Sequence, residues 1–127
     1  MDRPVLDSSA ILAVIFDEPG SDSVAPLLQG SLLSSVNLAE VHTQLLLRDV
    51  PDAFSWSRIL GMGFEVCPFG EEEARITAEL IAQTRSLGLS FGDRACLALA
   101  IQHQAPVYTT DRAWKSLALG VEVEIIR

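Results

Sequence analysis

The chain has 127 residues, 49% of them apolar and only 6% aromatic, enough for an aliphatic core in one domain spanning residues 1–127 without metal or disulfide staples. Nine basic residues against 17 acidic ones give a formal charge of −8, and Lys115 is the only lysine. That balance excludes a protein held to nucleic acid by a broad basic surface, but not a nuclease that meets phosphate through a metal ion.

In chain order, residues 4–7 read as a short buried strand. Residues 8–16 follow as a helix, capped by Asp7 or Ser8 and stopped at the Asp17-Glu-Pro-Gly20 turn. Residues 21–29 form a second short helix ended by Gly30, and 31–35 a second strand. Residues 36–48 are helical, with Leu38, Val41, Leu45 and Leu46 on one face. Pro51 sits in a first turn, where helices accept proline, and that helix runs to about Gly61. Residues 64–68 are a third strand. Residues 71–87 are a long helix with acids in the first turn and Arg85 in the last, as the helix dipole prefers. A helix over 90–104, a strand over 106–109, a helix over 112–119 closed by Gly120 and a strand over 121–126 complete the chain. Strands alternating with helices predict a parallel sheet covered on both faces, with right-handed crossovers.

Cys67 and Cys96 are far apart and form no CxxC pair, which argues against structural zinc and for buried thiols in a reducing cytoplasm. The longest apolar runs, residues 10–16 and 95–101, are too short to span a membrane. The opening residues, with Asp2 and Asp7, lack the basic start of a signal peptide.

The run SFGDRACLALAI, residues 90–101, is apolar yet opens with Asp93 and Arg94. Ser90 and Asp93 have the spacing of a capping box, in which each side chain satisfies a free backbone N–H of the other residue. Three more acids lie near helix starts. Asp7 ends the first strand, Glu40 stands three residues after Asn37 with the same capping spacing, and Asp111 ends the fourth strand. In a parallel α/β sheet the carboxyl ends of the strands share one edge, where ligands bind. Four carboxylates gathered there repel one another. A hard divalent cation such as Mg²⁺ or Mn²⁺ relieves that repulsion. The sequence has no HExxH, no Cys/His cluster, no recognisable Ser-His-Asp set and no phosphate loop. His42 and His103 read as surface or interface histidines. The chemistry left is metal-assisted hydrolysis, with phosphate esters the natural substrates.

With VLDSSAIL near the start, SSVNLAEV in the middle and LSFGDRACLALAIQHQAPVYTTDRAW toward the end, the sequence resembles the PIN-domain family. More narrowly, it is similar to the ribonuclease toxins of VapBC-type toxin–antitoxin pairs. The resemblance implies an α/β fold with a five-stranded parallel sheet in the order 3-2-1-4-5, helices on both faces and an acidic pocket at the C-terminal edge. It implies a Mg²⁺- or Mn²⁺-dependent endoribonuclease in which Asp7, Asp93 and Asp111 bind metal directly or through water. Glu40 would hold metal-bound water or serve as base. Ser8, Ser35 and Thr109 match supporting hydroxyl positions; each reads equally as a strand-end hydroxyl bonding local backbone. Arg112, Ala113 and Trp114 follow Asp111, so no fifth carboxylate is inferred. Arg94, Arg112 and Lys115 are near enough in sequence to the acids to contact RNA phosphates.

Leu45, Leu46, Phe54, Trp56, Ile59 and Leu60 crowd two consecutive helices. They either pack together or present a groove to an amphipathic segment. The resemblance implies a small antitoxin bound there, and a homodimer. Two other readings stay open: a catalytically silent interaction module of the same fold, and a metal phosphohydrolase acting on another phosphate ester.

Overall fold

Five short strands form the middle layer: β1 (Val5–Leu6), β2 (Leu32–Ser34), β3 (Glu65–Cys67), β4 (Val107–Thr109) and β5 (Val123–Ile125). The computed structural model describes residues 3–127, so the reading of Asp2 lies outside the described residues. The order is β3-β2-β1-β4-β5, and every neighbouring pair is parallel, as the alternation of elements predicts. Side chains alternate across a strand, and β1 shows it directly. Val5 packs into one core with Leu32, Leu97, Val107 and Trp114, while Leu6 packs into the opposite core with Ile11, Leu33, Val41 and Ile59. Both faces of the central strands are therefore buried, which explains their uninterrupted apolar sequence.

Among the described residues, seven helices surround the sheet: α1 (Ser8–Ile15), α2 (Ser21–Val24), α3 (Ser35–Leu47), α4 (Asp52–Leu60), α5 (Glu71–Glu79), α6 (Ile81–Thr84) and α7 (Phe91–His103). Residues Ala95 to Ala100 of α7 are all buried, because their mostly small side chains let α7 lie close to both the sheet and α5. No helix among the described residues is long and apolar enough to cross a membrane. Cys96 is buried, whereas Cys67, on the edge strand β3, is only half-buried, contrary to expectation.

Three expected helices are shorter. α2 gives way to a 3-10 turn over Ala25–Leu27, because Pro26 has no N–H with which to continue an α-helix. The long helix over 71–87 breaks at Leu80, where the buried Thr84 hydroxyl donates to the Leu80 carbonyl at 2.9 Å. It ends as a 3-10 turn at Gly88, whose φ of 68° suits glycine. The expected helix over 112–119 is a 3-10 segment, Arg112–Ser116, ended by extended backbone at Leu117. The fully buried Trp114 pins that short segment to the core. Leu46 is exposed, so it does not share the buried face of Leu38, Val41 and Leu45.

Candidate active site

Asp7 is the residue after β1 and is 3% exposed. It occupies the cap position of α1, yet its side chain makes no cap bond. Instead Oδ2 accepts hydrogen bonds from Ser9 Oγ at 2.7 Å and Thr109 Oγ1 at 2.9 Å. Oδ1 is buried with no hydrogen-bond partner. Burial pushes the Asp7 carboxyl up to about 6, with help from the charges of Asp93 and Glu40 and against the two hydroxyl bonds. Ser9 also accepts from the Thr110 N–H at 3.1 Å, so it ties α1 to the end of β4.

Glu40 stands on α3. Its Oε1 accepts from Ser8 Oγ at 3.0 Å and from Asn37 Nδ2 at 2.8 Å. Asn37 is not a helix cap. It is buried, and its Nδ2 also donates to the Gly92 carbonyl at 3.1 Å, which links α3 to α7. The cap of α3 is Ser34, whose hydroxyl accepts from the Val36 N–H at 3.2 Å. At Gly92 the helices approach so closely that a Cβ would overlap the Glu40 carboxylate.

Asp93 fulfils the capping box. Its Oδ2 accepts from the Ser90 N–H at 2.9 Å, and Ser90 Oγ accepts from the Asp93 N–H at 3.2 Å. Its carboxyl is nonetheless held above the ordinary range, chiefly by burial and also by the charges of Asp111 and Glu40, against the Ser90 bonds. Asp111 lies exposed beyond β4, with Oδ1 accepting from the Ala113 N–H at 2.9 Å and its own N–H donating to Thr109 Oγ1 at 3.1 Å. The four acids therefore share one electrostatic environment at the C-terminal edge of the sheet. Cys96 lies in reach of the same field. Burial, then the charges of Asp7, Asp93 and Glu40, push its thiol well up, so it stays neutral.

Among the described residues, no three His, Cys, Asp or Glu side chains stand as a ready-made ligand group. The donor set still fits a hard divalent cation. It is all oxygen, the charges of neighbouring acids raise the proton affinity of Asp7 and Asp93, and the buried Asp7 Oδ1 lacks any partner.

The remaining expected residues divide. Ser8 and Thr109 hold Glu40 and Asp7. Ser35 does not join them: its hydroxyl accepts from the Phe69 N–H at 3.0 Å, bracing the loop after β3. Arg94 turns to α5, donating to the Thr77 carbonyl at 2.9 Å. Arg112 and Lys115, one and four residues after Asp111, are exposed and line a cavity of about 440 Å³ with Glu124 and Arg127. On the α3–α4 pair, Leu45 and Ile59 are core residues, whereas Leu46, Phe54, Trp56 and Leu60 are exposed. Leu47 extends that apolar surface.

The structure also assembles an Asp-His-Ser set that the sequence hides. His42 Nε2 meets Asp52 Oδ1 at 2.8 Å and Nδ1 meets Ser55 Oγ at 2.8 Å. Ser55 is fully buried, so its hydroxyl reaches no substrate, and the set serves to clamp α3 to α4. Sequence reasoning also missed Ser9, Asn37 and Gly92. Only Ser9 carried a signal, as a second hydroxyl in the D-S-S string.

The PIN domain family model matches residues 5–119. No curated protein matches the chain in sequence. Among solved structures, the chain is similar to the DNA-bound VapBC of Salmonella typhimurium, with a TM-score of 0.75, 17% identity and 100% of both chains covered. It is similar to VapBC2 of Rickettsia felis bound to a promoter DNA fragment, with a TM-score of 0.73, 19% identity and 98% of both chains covered. It also resembles VapBC-5 of Mycobacterium tuberculosis, at 0.62 and 24% identity, over 100% of this chain and 99% of that one.

Proposed function

We propose, from the premise that the chain belongs to the PIN domain family, that it is a Mg²⁺- or Mn²⁺-dependent endoribonuclease, a VapC-like toxin neutralised by a cognate antitoxin. The observation that carries this reading is Asp7. One of its oxygens is fixed by two hydroxyls, the other is buried without a partner, and the charges of Asp93 and Glu40 act on it, with Asp111 acting in turn on Asp93. A divalent ion supplies Lewis acidity and a more acidic attacking water when bound. Asp7, Asp93 and Asp111 hold the ion, directly or through water. Ser9 and Thr109 keep the Asp7 carboxylate in place. Glu40, oriented by Ser8 and Asn37, takes the proton of the attacking water. Arg112 and Lys115 meet RNA phosphates beyond the cleaved bond.

The antitoxin reading draws support from the neighbours, whose titles describe VapBC pairs. It also draws on the exposed apolar ridge of Leu46, Leu47, Phe54, Trp56 and Leu60. A two-fold homodimer, the commonest oligomer, and a cytoplasmic location belong to the same reading. Purified, partner-free protein is expected to cleave single-stranded RNA in Mg²⁺ or Mn²⁺ and not in EDTA, and Asp7→Asn to abolish cleavage. Equal cleavage in excess EDTA overturns the metal mechanism. Hydrolysis of a chromogenic phosphate ester without cleavage of RNA transfers the site to another phosphohydrolase.

A further inference from the structure

A groove of about 490 Å³ runs from Glu40 along α1 and α3 to Phe91, the first residue of α7. Its walls include Leu12 and Val36, its polar groups include Thr43, Gln44 and Glu40, and Phe91 stands at its edge. We infer that this groove is a subsite for one unpaired nucleobase of the RNA strand, with Phe91 as its stacking platform. The inference rests on the nuclease reading above.

Four observations converge on it. Phe91 is 51% exposed, yet it is held in place. Phe69 packs against it edge-on at 5.6 Å with the rings at 78°, and the Ser35 hydroxyl anchors the Phe69 backbone. Phe91 also lies two residues before Asp93, inside the capping box that fixes that acid, so ring and carboxylate are set by one helix start. Glu40 borders the groove, and its charge acts on both Asp7 and Asp93, so a strand whose phosphate sits at the acids brings the neighbouring base to the groove. Finally, the chain carries a charge of −8, so affinity for a polyanion must come largely from contacts that need no charge. Stacking on an aromatic ring is such a contact, and it requires a base free of its helix.

The groove differs from the ridge on α3 and α4, whose large exposed side chains, Leu46, Leu47, Phe54, Trp56 and Leu60, are aromatic or aliphatic. Apolar walls with hydroxyl, amide and carboxylate groups between them suit a flat base with a polar edge. A protein segment in the groove is the rival that the experiment separates.

The test uses the full chain and a short single-stranded RNA bearing 2-aminopurine at successive positions, with Ca²⁺ replacing Mg²⁺ to slow cleavage. Binding is expected to quench the fluorophore at one position. Phe91→Leu keeps apolar bulk at an exposed site but removes the ring. It is expected to weaken RNA binding roughly tenfold, to lose the quench and, with Mg²⁺, to raise KM. Phe91→Trp is expected to restore all three. Wild-type binding, quenching and cleavage in Phe91→Leu overturn the subsite and leave the nuclease reading standing. Ring-dependent quenching without any metal-dependent cleavage keeps the subsite and overturns the nuclease reading. Unchanged RNA binding with weakened antitoxin capture by Phe91→Leu assigns the groove to a protein and overturns the inference.

Discussion

Asp7 shows how one side chain can be costly to the fold and useful to the site. Its carboxyl titrates near 6 in the folded chain against an ordinary value of 3.8, chiefly because it is buried. The folded state therefore holds that proton more tightly than the unfolded state. Its stabilising contribution is complete below about 3.8 and is lost as the pH rises through about 6. The displacement corresponds to about 3 kcal/mol. Asp7→Asn removes the ionisable group while leaving one orphaned polar atom. In EDTA at about pH 8 the substitution is expected to raise stability by ~1–3 kcal/mol, with the gain fading toward about pH 4. The Mg²⁺-dependent rise in Tm should vanish with the charge. Thermal melts across pH, with and without Mg²⁺, check both; a gain independent of pH contradicts the burial argument. Gly92 makes the converse case. The three atoms nearest a Cβ there all belong to the tip of the Glu40 side chain, which can swing away. Gly92→Ala should thus change stability by less than about 1 kcal/mol while cutting cleavage by an order of magnitude or more, since it displaces the proposed base. If Gly92→Ala cleaves at the wild-type rate, the position of Glu40 does not matter to the reaction.

Individual elements show what the sequence can announce and what it hides. The capping box of α7 was legible because both partners lie within four residues. The strands were legible because residues 4–6, 31–34 and 106–109 are apolar or β-prone and bounded by turn residues. The order of the strands came from family resemblance, since no local pattern specifies it, whereas the gathering of the acids followed from their places at strand ends and helix starts of a parallel sheet. Asn37 was misread because its role depends on a carbonyl 55 residues away, and Ser9 escaped because, besides Asp7, its partners Thr109 and Thr110 are about 100 residues distant. The segment after Asp111 has the pattern of an amphipathic helix, but Trp114 is drawn fully into the core and the backbone tightens around it. The α3–α4 pair was half legible. Periodicity marked it as apolar, but only the packed structure separates Leu45 and Ile59, which join the helices, from Phe54 and Trp56, which are 60% and 41% exposed. Trp56 stacks edge-on against His42 at 5.1 Å, and His42 is clamped by Asp52 and Ser55, so the ridge is rigid before any partner arrives. Phe54→Ala and Trp56→Ala should leave the melting temperature nearly unchanged and each weaken antitoxin binding by about 2 kcal/mol. Calorimetric titration measures this, and full affinity in both variants moves the antitoxin to another face.

At the scale of the whole molecule, the arrangement of basic residues decides how the chain can hold RNA. Of nine, Arg3, Arg75 and Arg127 are paired with carboxylates, Arg94 binds a backbone carbonyl, Arg48 lies over the Phe16 ring, and Arg58 and Arg85 are exposed on α4 and just after α6. Arg112 and Lys115 follow Asp111 by one and four residues and face solvent. Two cations near the strand neutralise about two phosphates, and single-stranded nucleic acid gives a salt slope of about −0.7 per phosphate. The expected dependence of log affinity on log salt is therefore about −1.4, or roughly a sevenfold loss between about 50 and 200 mM monovalent salt. Replacing both Arg112 and Lys115 with alanine should bring the slope close to zero and weaken binding to all sequences alike, because phosphate contacts carry no base information. Divalent cation should matter far more than ionic strength, since it supplies the charge this acidic surface lacks. Titrating labelled single-stranded RNA at fixed Ca²⁺ over a series of salt concentrations measures the slope. A slope of about −4 or steeper requires a basic surface that one copy of this chain does not present. It would mean that RNA is held across two subunits, or by a partner, rather than by the ion and the groove of one.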